Sequence, residues 1–130
     1  MKAFAAAAAL GLMLAGCEDG APERNVTSIE IANPHSEQLK GMSELYRNLG
    51  LRRALIDAGQ RCKNVERAAY QEQYKSMAIW TAHCVDSGDW AIFIAPSGDV
   101  QVRRCGNLAQ LGLPQCRPIP EAKGRDKAAR

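Results

Sequence analysis

Four cysteines and two histidines are the residues of this chain best suited to thiol, metal or acid–base chemistry: Cys62, Cys84, Cys105, Cys116, His35 and His83. A fifth cysteine, Cys17, stands apart near the start. No two cysteines form a CxxC, which disfavours thioredoxin-like dithiol chemistry. Zinc bound by four thiolates needs closer ligand pairs than these spacings offer. His83 and Cys84 are adjacent in a β-rich run, so they point to opposite faces and cannot form a dyad. Asp86 and Asp89 follow His83 in a short turn. They are the available carboxylates for a hydrolytic His83, but two in one turn supply too few ligands for calcium. Ser97-Gly98 is a turn and not a nucleophile elbow, because no strand-to-helix switch surrounds it. His35 lies at an expected helix start, on the surface. There is no Gly-rich phosphate loop. Arg52-Arg53 and Arg103-Arg104 read as solvated basic edges. No residue is assigned a catalytic or metal-binding role.

Charge narrows the partners. The 130 residues hold 17 Lys and Arg against 14 Asp and Glu, a net +3. That surplus is too small for a nucleic-acid surface. Aromatic residues make up only 5% of the chain, so a base-stacking platform is also missing. The length supports one small domain.

The chain starts MKAFAAAAALGLMLAGC. Lys2 is a short positive region, Ala3 to Leu14 an uncharged apolar run, and Ala15-Gly16 a pair of small residues. This layout fits an export signal, and the run is short for a spanning helix. Leu14-Ala15-Gly16-Cys17 resembles the lipobox of bacterial lipoproteins. The resemblance implies a signal peptide over residues 1–16, with Leu14, Ala15 and Gly16 read by the signal peptidase. It also implies that Cys17 becomes the N-terminus, carrying diacylglycerol and further acyl chains. No other cofactor is implied. Each methylene buried in the bilayer contributes about 0.8 kcal/mol, so several chains anchor stably. The location implied is the bacterial cell envelope, facing the periplasm; Glu18 and Asp19 do not decide between inner and outer membrane. Losing Lys2 with the leader leaves 16 basic against 14 acidic residues.

Residues 17–32 read as a lipidated N-terminus and tether, with Gly20, Ala21 and Pro22 at its start. Asn25-Val26-Thr27 matches a glycosylation sequon by chance. Residues 33–116 form the expected domain. Asn33-Pro34 signals a helix start, Asn as N-cap and Pro at the first position. Leu39, Met42, Leu45, Tyr46 and Leu49 recur at helical spacing and are expected to pack on a sheet, with Gly50 as C-cap. A second helix is expected from Leu51 to Ala58, stopped by Gly59.

Beyond Cys62 the pattern becomes β. Val65 to Tyr70 is a weak strand, Met77 to Val85 a strong one, and Trp90 to Ala95 and Val100 to Cys105 follow. Turns at Asp86–Asp89 and Pro96–Asp99 join them. The class expected is α+β: a helix or helix pair on a three- to four-stranded antiparallel meander. Pairing Asp86 with Asp89 sets Cys84 opposite Ala91 and Ala82 opposite Phe93. Trp80, Ala82, Cys84, Ala91, Phe93, Val100 and Val102 then form the core face. Thr81, His83, Val85, Trp90, Ile92, Ile94, Gln101, Arg103 and Cys105 take the other. Residues 117–130, with five basic and two acidic residues, read as a disordered basic tail.

Setting Cys17 aside leaves an even set of cysteines in an oxidising compartment, which favours disulfides. The register puts Cys84 and Cys105 on opposite faces, too far apart to bond. A hairpin turning near Gln73 sets Cys62 opposite Cys84, favouring Cys62–Cys84 with Cys105–Cys116. Cys62–Cys105 with Cys84–Cys116 stays open if the register shifts.

The leading functional expectation is a non-enzymatic binding or accessory module of the envelope, in contact with membrane lipid through its anchor and with an envelope protein. Trp90, Ile92 and Ile94 with Arg103 form the candidate contact surface. Two other classes compete: an inhibitor or immunity-type lipoprotein acting through residues 106–115, and a small periplasmic hydrolase using His83.

Overall fold

The computed structural model describes residues 32–121. The lipobox and most of the tether lie outside the described residues. The order is α1 (Pro34–Gly41), α2 (Glu44–Asp57), β1 (Val65–Tyr74), β2 (Met77–Cys84), β3 (Gly88–Ile94) and β4 (Val100–Arg104), then a 3₁₀ turn at Cys105–Asn107. The strands form one antiparallel meander in sequence order. The fold is therefore α+β, two helices on a four-stranded sheet, with two disulfides.

Asn33 caps α1 as its sequence signal requires. Its Oδ1 accepts from the Ser36 amide at 3.1 Å, and its Nδ2 donates to the Ile94 carbonyl at 2.7 Å. Ser36 is buried and its hydroxyl accepts from Trp80 Nε1 at 3.0 Å. So short a helix buries little apolar surface, and these polar contacts fix it to β2 and β3.

The helices break differently from the sequence expectation. The first ends at Gly41, and α2 starts after Ser43. Arg47, one turn into α2, turns back to the end of α1, donating to the carbonyl of Leu39 at 3.2 Å, which also accepts from the Met42 amide, and to that of the C-cap Met42 at 3.0 Å. Gly50 therefore lies inside α2 and caps nothing. Gly59, at φ +75°, ends α2 with Gly59 N–H bonded to Ile56 and Gln60 N–H to Leu55, a Schellman closure. The break resets the helical phase. Leu51 and Leu55 are buried, while Leu45 and Tyr46 are each 65% exposed and Leu49 47%. Of the expected apolar stripe, Leu39 packs against the main core.

The β2–β3 register corrects the sequence reading most. Gly88, at φ +83°, is the first residue of β3, and Cys84 faces it directly. The loop is Val85–Ser87, three residues where two were expected. An odd change in register reverses the faces. The next turn shifts by one residue as well, so that Ile94 and not Ala95 faces Val100 and Ile92 and not Phe93 faces Val102; β4 turns back, and β3 alone is turned over. Trp90, Ile92 and Ile94 join Trp80, Ala82 and Val102 beneath the helices. Ala91 and Phe93 move to the second face, where Ile79 and Leu108 complete a smaller core. On β1, the strand continues past Tyr70 to Tyr74, and the hairpin turns at Lys75-Ser76 instead of near Gln73. Bulges at Glu66 and Gln71 take up only part of the difference.

The bridges are Cys62–Cys84 and Cys105–Cys116, with Cα separations of 5.5 and 5.6 Å. In the observed register Val65, not Cys62, faces Cys84, and Cys62 reaches it from beyond the strand end. Each bridge stabilises a small domain by ~2–4 kcal/mol. Residues 117–121 run along β1, held by Arg117 on Glu72 at 2.9 Å and by Arg67 on Glu121 at 2.6 Å. The Cys105–Cys116 bridge delivers the chain to that edge. Residues 122–130 lie outside the described residues.

The phase of α2 predicts that Leu55→Ala costs ~2–5 kcal/mol of unfolding free energy in urea. Leu49→Ala, on the exposed side, should stay within about 0.5 kcal/mol.

Candidate functional site

The contact surface expected from sequence does not form. Trp90, Ile92 and Ile94 are all buried, 3%, 0% and 4% exposed. Arg103 stays on the other side of the sheet, opposite Ala91, and donates to the Val102 carbonyl. Trp90 instead anchors the β2–β3 loop. Its Nε1 donates to Ser87 Oγ at 3.0 Å, Ser87 Oγ donates to the Arg61 carbonyl at 2.6 Å, and Arg104 stacks over the indole at 4.6 Å.

His83 and Asp89 come together across β2 and β3, with Nδ1 and Oδ1 2.6 Å apart. Glu66 Oε2 lies 4.0 Å from the other ring nitrogen. Asp86 is elsewhere, accepting from the Lys63 amide at 2.8 Å. A general base needs one nitrogen turned to substrate and the other held by an acid. Here both nitrogens face carboxylates. The buried hydroxyl on the same face, Thr81, donates to the Ala69 carbonyl at 3.3 Å. The geometry is that of a cross-strand clip between β1, β2 and β3. Among the described residues no three His, Cys, Asp or Glu side chains are placed to hold a metal ion. Arg52 donates to the carbonyls of Cys62 and Lys63, and Arg53 pairs with Asp57.

With both faces of the sheet covered, the edge at β1, beside which residues 117–121 run, is a surface that can still recognise something. β1 is an outer strand of the sheet. Beside it opens a cleft of about 480 Å³ between the helices and residues 120–121. Arg67, Ala68, Ala69 and Tyr70 form one wall, and Lys40, Glu44 and Arg47 the opposite one. Alternate residues of a strand turn their peptide groups to the same edge. The Ala69 carbonyl faces β2, where Thr81 binds it. The Glu66 and Gln71 carbonyls face outward, to Asn48 at 3.4 Å and Arg117 at 3.3 Å. Ala68 and Tyr70 therefore present their N–H and C=O groups to the cleft, and no strand of the described residues pairs with them.

The cleft has an aromatic and cationic lining. Tyr70 meets Trp80 edge to face at 5.7 Å, with Lys40 4.0 Å over the Tyr70 ring and Arg47 5.9 Å from the Trp80 ring. A second cleft of about 390 Å³ shares Lys40 and Tyr70 and extends past Asn33, Ser36 and Gln73. Together they make a groove along β1. Sequence reading missed it. Its one signal is the Ala68-Ala69 pair, two weak β-formers in a strand that reads as marginal. Small side chains there let another backbone approach.

No family model matches this chain, and comparison with the curated proteins and with the solved structures gives no match.

The clip between His83 and Asp89 is partly solvated, so its contribution is that of a surface pair. His83→Ala should lower unfolding free energy by ~0.2–1 kcal/mol. A double-mutant cycle with Asp89→Asn, read by urea denaturation, should place most of that loss in the pair.

Proposed function

We propose that this chain is a lipoprotein of the bacterial envelope, anchored through acylated Cys17 and facing the periplasm, whose domain is a non-enzymatic binding module. Its ligand is an extended segment of an envelope protein, which adds to the sheet as a strand beside β1. The observation that carries this reading is the strand edge at Ala68 and Tyr70, which carries no paired strand among the described residues and faces a groove lined by Tyr70, Lys40 and Arg47 and bordered by Pro120 and Glu121. Sheet edges left open invite another strand, and native proteins usually block them with charge, proline or cover. Here residues 117–121 run beside the edge, held at Gln71 and Arg67, and Asn48 holds the Glu66 carbonyl; Pro120 and Glu121 border the cleft without a main-chain hydrogen bond to Ala68 or Tyr70. Main-chain hydrogen bonds would supply affinity, and Tyr70 with the cations above it would select the side chain of every second ligand residue.

The disulfide-braced loop supports a second reading, an inhibitor or immunity-type lipoprotein. Cys105–Cys116 ties both ends of the loop, Leu108 is buried beneath it, and Leu111 projects 53% exposed. A stable complex with an envelope enzyme, lost on Leu111→Asp, would favour that reading over the groove.

Proline separates binding from folding at the edge. Ala68→Pro removes an outward N–H that β1–β2 pairing does not use, a substitution edge strands tolerate. A displayed peptide library screened against the full chain should enrich segments with period-two patterning. Ala68→Pro should abolish their binding and leave the melting transition in place. Binding that survives Ala68→Pro would refute strand addition.

A further inference from the structure

The outer face of α2 carries a second surface, one the groove does not explain. Leu45, Leu49 and Ile56 fall in one line along the helix, on the side turned away from Leu51 and Leu55. They are 65%, 47% and 39% exposed. Arg52 and Arg53 flank the line on its two sides, Arg53 paired with Asp57, so the uncompensated positive charge lies on the Arg52 side. Arg52 donates to the carbonyls of Cys62 and Lys63, so the basic segment from Arg61 to Lys63 lies beside the C-terminal half of the stripe. Arg61 and Lys63 line an open cleft with Arg104, against a single acid, Asp86. An apolar stripe edged by cations, on a helix with no apolar cover among the described residues, matches the interfacial zone of an anionic bilayer.

We infer that α2 lies on the membrane that holds the anchor, Leu45, Leu49 and Ile56 dipping among the acyl chains and the basic segment meeting phosphate headgroups. This rests on the lipoprotein reading of Cys17. Chain length makes the docking available. Cys17 to Asn33 spans at most about 55 Å fully extended, so an anchored domain never leaves the neighbourhood of the bilayer. The stripe itself is short, since α2 is about 21 Å long, and too weak to hold the protein alone. Tethering turns that weak contact into an intramolecular one. Docking through α2 sets the domain in a fixed orientation. The loop closed by Cys105–Cys116 lies on the opposite side of the sheet and faces away from the bilayer.

The test uses the full chain expressed in a bacterium, with a photoreactive benzoyl-phenylalanine replacing Leu49 in one sample and Ala109, on the opposite side, in another. After irradiation of intact membranes, mass spectrometry should show a shift of one phospholipid on the position 49 protein and none on the position 109 protein. The same spectra report the N-terminus. Acylated Cys17 with no lipid adduct at position 49, or with a protein adduct there, overturns the docking alone. Equal lipid adducts at both positions also overturn it. An unprocessed, unacylated chain overturns the lipoprotein reading, and the docking with it.

Discussion

The number of residues between Cys84 and Gly88 decides most of this structure. Three residues join β2 to β3, and Gly88 opens the new strand at φ +83°. Side chains alternate with a period of two, so this count fixes which half of β3 meets the helices. With three, Trp90, Ile92 and Ile94 complete the core over which Leu51 and Leu55 pack. Phe93 and Ala91 fall to the far side, where only the segment after β4 can cover them. That segment does so because Cys105–Cys116 folds it back and buries Leu108. The second disulfide is thus needed because of the loop before β3.

Covering both faces limits where recognition can happen. A half-covered antiparallel sheet offers one broad face to a partner. This one offers an edge and the outside of a helix. The edge at Ala68 and Tyr70 suits an extended chain, because its binding groups are main-chain and its side chains small. The outside of α2 suits a lipid interface, because its apolar residues form a stripe flanked by arginine. The two surfaces are compatible. One would set how the domain sits, and the other what it holds.

Much of the fold was legible in the sequence because its signals are local. Asn33-Pro34 marked the start of α1, Gly59 the end of α2, and Asp86–Asp89 and Pro96–Asp99 the turns. The disulfide pairing was legible too, although the register used to argue for it differs from the observed one. Cysteines at strand ends have enough reach to absorb a shift of a few residues. The failures were all of phase. Nothing local says that Gly88 belongs to β3, since Asp-Ser-Gly-Asp serves a two-residue or a three-residue loop equally. The local signals for the helix break, Gly41 and the N-cap Ser43 before Glu44, are weaker than the apolar periodicity that runs through them. Arg47 reinforces the break by reaching back to the carbonyls of Leu39 and Met42, a contact between two helices. Each error of phase exchanged inside for outside: Leu45 and Leu49 were expected in the core, and Trp90 and Ile92 on the surface. The β1 groove was illegible for a related reason. An edge is a property of strand order, and it recruits residues as plain as Ala68 and Ala69.

The chain has two tryptophans, Trp80 at 1% exposure and Trp90 at 3%, so fluorescence reads the decisive register directly. Acrylamide quenching of the full chain should find both indoles protected, with blue-shifted emission, until urea unfolds the domain. A native protein in which one indole is quenched as freely as a tryptophan in water would place Trp90 on an open face, and would contradict the register on which both surfaces depend.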